Sequence, residues 1–197
     1  DFGRLRSDPT CAWLADDARI VFAPSRDTIA ATIAKLIADG AAPMLVTTAD
    51  NTLLTGAMID HFLAASRDRD LAIAMVERRV LLRAYPQSKR SWLKFRGGAW
   101  SGANLFWIGS ARVLPLIAIW RDVEQDRKKG WRVISAFGPV MLLGAMLRLV
   151  TLPAAIARIG QRHALDAALV PMPQPEACID VDKAEDLALA ETILAAR

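Results

Sequence analysis

The stretch PMLVTTADNTLL, residues 43 to 54, decides the fold. Residues 44 to 48 are apolar or favour β-structure, Pro43 precedes them, and the polar pair Asp50 and Asn51 follows them. This pattern predicts a buried parallel strand that runs into a loop bearing a carboxylate. Ligands of open α/β sheets bind outside the carboxyl ends of the strands, so Asp50 is predicted to lie at a binding edge.

The segments on either side of this strand alternate between strand and helix patterns. Residues 19–23 (RIVFA) predict a strand, and Ser25 is the expected cap of a helix that ends at Gly40. After the strand predicted at 44–48, Thr55 is expected to cap a second helix, and LAIAMVE at 71–77 predicts another strand. The order β-α-β-α-β implies right-handed crossovers and a parallel sheet.

A basic segment and a hairpin follow. Residues 78–96 are rich in Arg and Lys, and within them SWLKF at 91–95 alternates as a strand does. Gly97 and Gly98 are suited to the turn that leads to a second strand at 104–108.

The last third of the chain is predicted to be largely helical. Helices are expected at 111–129, 131–149 and 153–160, strands near 165–170 and 177–181, and a closing helix at 184–195. The whole pattern predicts one α/β domain over residues 1–197. It would be a three-layer α/β/α arrangement with a mostly parallel, Rossmann-like sheet, a β-hairpin and a helical insertion at about 110–160.

Composition narrows the classes of partner. The chain has 197 residues, 53% of them hydrophobic, with a formal net charge of +4. This mild excess suits anionic small molecules or a membrane surface and does not predict nucleic-acid binding. The longest apolar run, residues 133–147, is shorter than the ~20 residues of a spanning helix. We therefore expect a cytoplasmic protein, with peripheral membrane contact through residues 131–160 as the alternative.

Two acidic segments are the candidates for metal chemistry. Asp180 and Asp182 lie at the end of an apolar run before the closing helix, and strand alternation would place both on one face. Asp182 could also serve only as the cap of that helix. If Asp50 converges with this pair, the three carboxylates suit a hard divalent cation such as Mg²⁺, which retains waters and takes further oxygens from phosphates.

Candidate substrate contacts cluster in and after the basic segment. Cationic side chains can neutralise phosphates, glycines let a ligand approach the backbone, and Asn104 could bind ligand hydroxyls. The alternatives are a solvated basic hairpin, and an asparagine that only satisfies local backbone. The six tryptophans are interpreted as packing rather than nucleobase stacking. The substrate-binding set is Arg90, Lys94, Gly98, Ser101, Gly102, Asn104 and Lys183.

Three motifs resemble the MobA-like NTP transferases, which are nucleotidyltransferases of GT-A type. They are LVTTADNTLLT at 45–55, KFRGGAWSGANLFWI at 94–108 and IDVDKAEDLALAE at 179–191. The resemblance extends from about residue 19 onward. It implies that Asp50 and Asp182 are catalytic and hold Mg²⁺, with Asp180 as the competing ligand. It also implies that a phosphorylated acceptor attacks the α-phosphorus of an NTP and releases pyrophosphate.

One part of the family pattern is absent from this sequence. Those enzymes begin with a strand and a glycine-rich phosphate loop of the LAGGxGxRM kind. We expect this part upstream of Asp1; the alternative is a divergent member that no longer turns over NTPs. The alternatives are a GT-A glycosyltransferase, which would normally show a compact DxD where TTADN has only one Asp, and a non-catalytic or membrane-peripheral binding module.

Overall fold

The computed structural model describes residue 3, residues 7–125, residue 147 and residues 149–197. The helices are α1 (Trp13–Asp16), α2 (Ile29–Ala38), α3 (Gly56–Ser66), α4 (Arg78–Ala84), α5 (Leu114–Gln125), α6 (Leu152–Arg162) and α7 (Ala184–Ala195). The strands are β1 (Met44–Thr47), β2 (Leu71–Glu77), β3 (Leu93–Phe95), β4 (Gly98–Ile108) and β5 (Ala167–Pro171). Short 3₁₀ turns occupy Ala111–Val113 and Pro175–Cys178.

These strands form one open sheet in the order β1-β4-β2-β5, with β3 paired to β4. β4 is antiparallel to β1, β2 and β3, whereas β2 and β5 are parallel. Four strands therefore run in one direction, and β4 runs against them between β1 and β2. The α/β class is confirmed. The sequence did not predict that β4, the long second strand of the hairpin, would lie between β1 and β2.

Strand β2 shows why helices cover both faces of the sheet. Ala72, Ala74 and Val76 belong to a core cluster with residues of α3, α4 and α7. Ile73 and Met75, which point the other way, pack with residues of α6. A further cluster joins α2 and α5 beside β1 and the end of β4. The result is the predicted three-layer arrangement.

Several predicted boundaries are confirmed. Gly40, at φ +86°, follows the end of α2, and the Thr55 hydroxyl accepts a hydrogen bond from the backbone of Met58 at the start of α3. Strand β2 and helix α7 occupy the predicted ranges, and the hairpin turns at Gly97, whose φ is +81°.

The predicted strand at 19–23 is wrong. This segment is irregular, and Val21 is 85% exposed. A five-residue run becomes a strand only with a pairing partner, and none of the described strands pairs with it. The cap of the next helix is also displaced, because Thr28 rather than Ser25 accepts from the backbone of Ala31.

The predicted strand at 177–181 is also wrong. Pro175, which has no N–H to give a sheet, opens a 3₁₀ turn that ends at Cys178. The chain then continues as an extended segment. Within it, Val181 N donates a hydrogen bond at 3.0 Å to Asp50 O, in the loop after β1.

The helical insertion is described only in part. Helices α5 and α6 lie within it, while the helix expected at 131–149 falls almost entirely outside the described residues, as does most of the segment assigned to membrane contact. In the part of the chain that is described, no helix combines the length and the apolar character that crossing a membrane requires.

Candidate metal centre

Three carboxylates from two distant parts of the chain meet at one edge of the sheet. Each of Asp50, Asp180 and Asp182 offers an oxygen within 4.8 Å of the others. Asp50 follows β1, and the other two lie in the segment between the second 3₁₀ turn and α7. The backbone hydrogen bond from Val181 N to Asp50 O fixes the two segments side by side. The convergence expected from the sequence is therefore present.

The loop after β1 orients Asp50 and is tied to the centre of the sheet. The Thr48 hydroxyl donates to Asp50 Oδ1. The next side chain, Asn51, is buried, and its Nδ2 donates to Ala103 O of β4 at 3.0 Å. Hydrogen bonds of the residues before and after Asp50 therefore fix the loop that carries it.

Both carboxylate oxygens of Asp180 have donors. Arg90 Nη2 donates to Oδ1, and Asn104 Nδ2 donates to Oδ2 at 3.1 Å. The side chain of Arg90 is 10% exposed and that of Asp180 is 18% exposed. This is a nearly buried ion pair, in which the desolvation of each group is offset by the other and by the neighbouring amide.

A bulge in β4 brings Asn104 to Asp180. The pairing of β2 with β4 shifts from Ile73–Phe106 to Met75–Gly102, so residues 103–105 stand opposite Ala74 alone. Asn104 lies in the left-handed region at φ 47°, a conformation that asparagine adopts more readily than most residues. The sequence suggested a ligand contact or a backbone contact for this side chain, and the structure pairs it with a carboxylate.

Asp182 is exposed, and capping does not explain its position. The N-cap residue of α7 is Lys183. The carboxylate that accepts hydrogen bonds at the start of this helix is that of Asp186. Its Oδ2 accepts from the backbone N–H of Asp182 at 3.3 Å and from that of Lys183 at 3.1 Å. The interpretation of Asp182 as only a cap is therefore wrong, and its carboxylate is available to the cluster.

The cluster borders a cavity of about 950 Å³. Asp180 and Asp182 form part of its wall, whereas Asp50 is not among the lining residues and adjoins the cavity only through these two carboxylates. Of the predicted substrate-binding residues, five line this cavity: Arg90, Ser101, Gly102, Asn104 and Lys183. Lys94 and Gly98 lie in the hairpin and are not among the lining residues.

The structure adds aromatic residues to the cavity wall that the sequence did not assign to a site. Tyr85, Trp92 and Trp100 line the same cavity. The Tyr85 hydroxyl donates to Glu176 Oε1 at 2.5 Å. Burial, followed by this bond to a carboxylate, raises the pKa of Tyr85 to about 12. The tryptophans do pack against core clusters, as interpreted, but they also present surface to the cavity.

The donor set fits a hard divalent cation. Carboxylate oxygens are the ligands that Mg²⁺ and Ca²⁺ prefer, and no soft ligand stands in the cluster. Three carboxylates and the one guanidinium on Asp180 leave two formal negative charges, which a single divalent cation balances. Exposed acidic groups do cluster without an ion, so the cavity beside the cluster is the second feature that matters.

Comparison with known proteins agrees on the fold. No protein-family model matches the chain, and no curated protein matches it. A solved structure from Thermus thermophilus, described as a hypothetical transferase, is similar with a TM-score of 0.71 and 24% sequence identity. The similarity covers 83% of this chain and 71% of that one. At this identity the match shows that the two chains share a fold.

Proposed function

We propose that this protein is a Mg²⁺-dependent nucleotidyltransferase of the MobA-like kind. It would transfer an NMP from an NTP to a small phosphorylated acceptor and release pyrophosphate. The observation that carries the proposal is the convergence of Asp50, Asp180 and Asp182, of which Asp180 and Asp182 line one large cavity. The shared fold with a protein described as a hypothetical transferase supports the broader assignment to the transferases.

The transfer needs no nucleophile from the protein. A phosphate oxygen of the acceptor forms a bond to the α-phosphorus, the bond from that phosphorus to the bridging oxygen breaks, and pyrophosphate departs with its electron pair. Catalysis is then a matter of positioning and charge neutralisation. A Mg²⁺ ion held by Asp50 and Asp182 would supply charge neutralisation at the phosphate oxygens.

Asp50 and Asp182 are the preferred ligands because of their neighbours. Asp180 already accepts from Arg90 and Asn104 on both oxygens. Asp50 accepts from Thr48 on one oxygen, and Asp182 is exposed beside the cavity. Asp180 therefore contributes charge and one remaining lone pair on each oxygen.

The cavity is lined by groups that suit a phosphate and by groups that suit an acceptor. Lys89 and Lys183 are exposed and line it, so their amines can neutralise phosphate charge. Gly102, which also lines the cavity beside Ser101 and Trp100, leaves the backbone open there. This wall suits an acceptor that carries hydroxyl groups and a flat or apolar ring.

The experiment is pyrophosphate release from a panel of NTPs, with Mg²⁺ and a panel of phosphorylated small-molecule acceptors. We expect one NTP to support turnover and chelation of Mg²⁺ to abolish it. Asp50→Asn and Asp182→Asn should each lower the rate by about 100-fold or more, because an electrostatic contact to the transition state is lost. The matched control is Asp60→Asn, a change of the same kind on the exposed surface of α3.

Two outcomes would contradict the proposal. Release of a nucleoside diphosphate from a nucleotide sugar, without pyrophosphate from any NTP, would identify a glycosyltransferase. Turnover that survives Asp50→Asn unchanged would remove the carboxylate cluster from the reaction.

A further inference from the structure

We propose that Arg90 and Asn104 are positioning residues that fix Asp180 within the carboxylate cluster and thereby preorganise the cation site. The proposal rests on the metal site of the proposed function, and it gives Arg90 a role different from the substrate contact that the sequence suggests.

The contacts of Arg90 converge on one short segment of chain. Nη2 donates to Asp180 Oδ1, and Nη1 lies 3.5 Å from the carbonyl oxygen of the same residue. Nη1 also lies 3.9 Å from Asp186 Oδ1. With only 10% of its side chain exposed, Arg90 has little surface to offer a ligand. It connects the loop after α4 to the start of α7.

The segment that Arg90 holds has no regular structure of its own. Residues 179–182 lie between a 3₁₀ turn and α7, outside the strand ladder. Ile179 is buried in the core and Val181 packs against it, while hydrogen bonds place the rest of the segment: Val181 N to Asp50 O, Asp182 N to Asp186, and the two donors to Asp180. Loss of a donor to Asp180 would release its carboxylate from the position it holds beside Asp50 and Asp182.

Asn104 supplies the second donor from the sheet itself. The same bulge that turns Asn104 toward Asp180 presents Ala103 O to Asn51, the neighbour of Asp50. One irregularity of β4 thus orients both halves of the cluster. This explains why a strained left-handed residue stands in the middle of an 11-residue strand.

The positive charge of Arg90 also stabilises the carboxylate cluster. Three carboxylates with oxygens within 4.8 Å repel one another, and a guanidinium on Asp180 offsets part of that repulsion before any cation binds. Arginine presents a planar set of donors that reaches the carboxylate and the carbonyl of Asp180 together, which a lysine ammonium cannot reproduce.

The test is the affinity of the full chain for Mn²⁺ alone, a hard ion whose free form is counted by electron paramagnetic resonance. We expect Arg90→Met and Arg90→Lys to weaken Mn²⁺ binding by about 10- to 100-fold, the usual cost of losing a group that orients metal ligands. Asn104→Gly should weaken it by about 3- to 10-fold on the same argument, while relieving the left-handed strain at that position. The matched controls, Arg83→Met and Arg83→Lys on the exposed side of α4, should bind as the unaltered chain does.

The results separate this proposal from the proposed function. Unchanged or tighter binding in Arg90→Met, or full rescue by Arg90→Lys, would overturn the positioning role and leave the metal site intact. Failure of the unaltered chain to bind Mn²⁺ would overturn both. If the Arg90 variants do not fold, as judged by circular dichroism, Asn104→Gly decides, and unchanged affinity there counts against the proposal. Weakened Mn²⁺ binding in a protein that transfers no nucleotide would support the positioning role and reject the reaction.

Discussion

Asp180 and Asp182 are two residues apart, yet their surroundings differ sharply. Asp180 is largely buried and accepts from Arg90 and Asn104, whereas Asp182 is exposed and lies beside the cavity. The sequence identified both acids and placed them with Asp50. Only the family resemblance ranked Asp182 above Asp180, because the partners that distinguish the two come from residues 76 and more positions away. At the scale of the residue, the sequence shows which side chains are acidic, but it does not show which side chains they contact in the folded protein.

Tyr85 gives a test at this scale. It is the single tyrosine of the chain, so absorbance at 295 nm reports on it alone. We expect the folded protein to ionise at a pH of about 12, because burial and the bond to Glu176 raise the pKa of Tyr85. In guanidinium chloride the transition should return to about 10.

The linkage has a definite sign. Because the folded-state pKa of Tyr85 lies above the unfolded value, its neutral phenol contributes stability below pH ~10, and that contribution is lost as the pH rises toward the folded-state pKa. Glu176→Gln should move the folded transition toward lower pH, since the carboxylate is the second cause of the shift. A folded transition that coincides with the unfolded one would show that Tyr85 is free in water.

At the scale of elements, local signals were reliable where they were sufficient by themselves. Thr55 capped α3 as predicted, and the apolar run at 71–77 became β2 with the predicted bounds. The strands expected at 19–23 and 177–181 failed because a strand needs a partner, and pairing is decided by the rest of the chain. The bulge at Asn104 was invisible for the same reason, since it exists only in the register of β4 against β2.

Gly160 gives a test of packing between α6 and β5. A Cβ at this position would lie 2.6 Å from the Cβ of Ala167 and 2.8 Å from Leu165 O. We expect Gly160→Ala to lower the free energy of unfolding by about 1–3 kcal/mol, because the helix must move off the strand. Urea denaturation measures the change.

The matched control is Gly56→Ala at the start of α3, where an added Cβ meets nothing within 4 Å. This change should be neutral or stabilise by up to about 1 kcal/mol, as helix propensity predicts. If Gly160→Ala proved as stable as the control, the close approach of α6 to β5 would be contradicted.

At the scale of the whole molecule, the sequence predicted the layers and the meeting of the acids, but not the path of the sheet. The alternation of strand and helix patterns is a local property that implies helices on both faces. The order β1-β4-β2-β5 depends on where the hairpin inserts, and no local pattern records that. The cavity is likewise a product of assembly, since its wall combines the loop after α4, strand β4 and the start of α7.

The central claim is that Asp50, which follows β1, and Asp182, which precedes α7, hold one divalent cation together. The most direct measurement is a double-mutant cycle in Mn²⁺ affinity for Asp50→Asn, Asp182→Asn and the double variant, with Asp60→Asn as control. If the two residues share one ion, each single change should weaken binding by about tenfold or more, equivalent to about 1.4 kcal/mol or more. The double variant should be less than about threefold weaker than the worse single variant, because the two effects are coupled. Affinity that is unchanged in either single variant, or losses that simply add, would contradict the shared site.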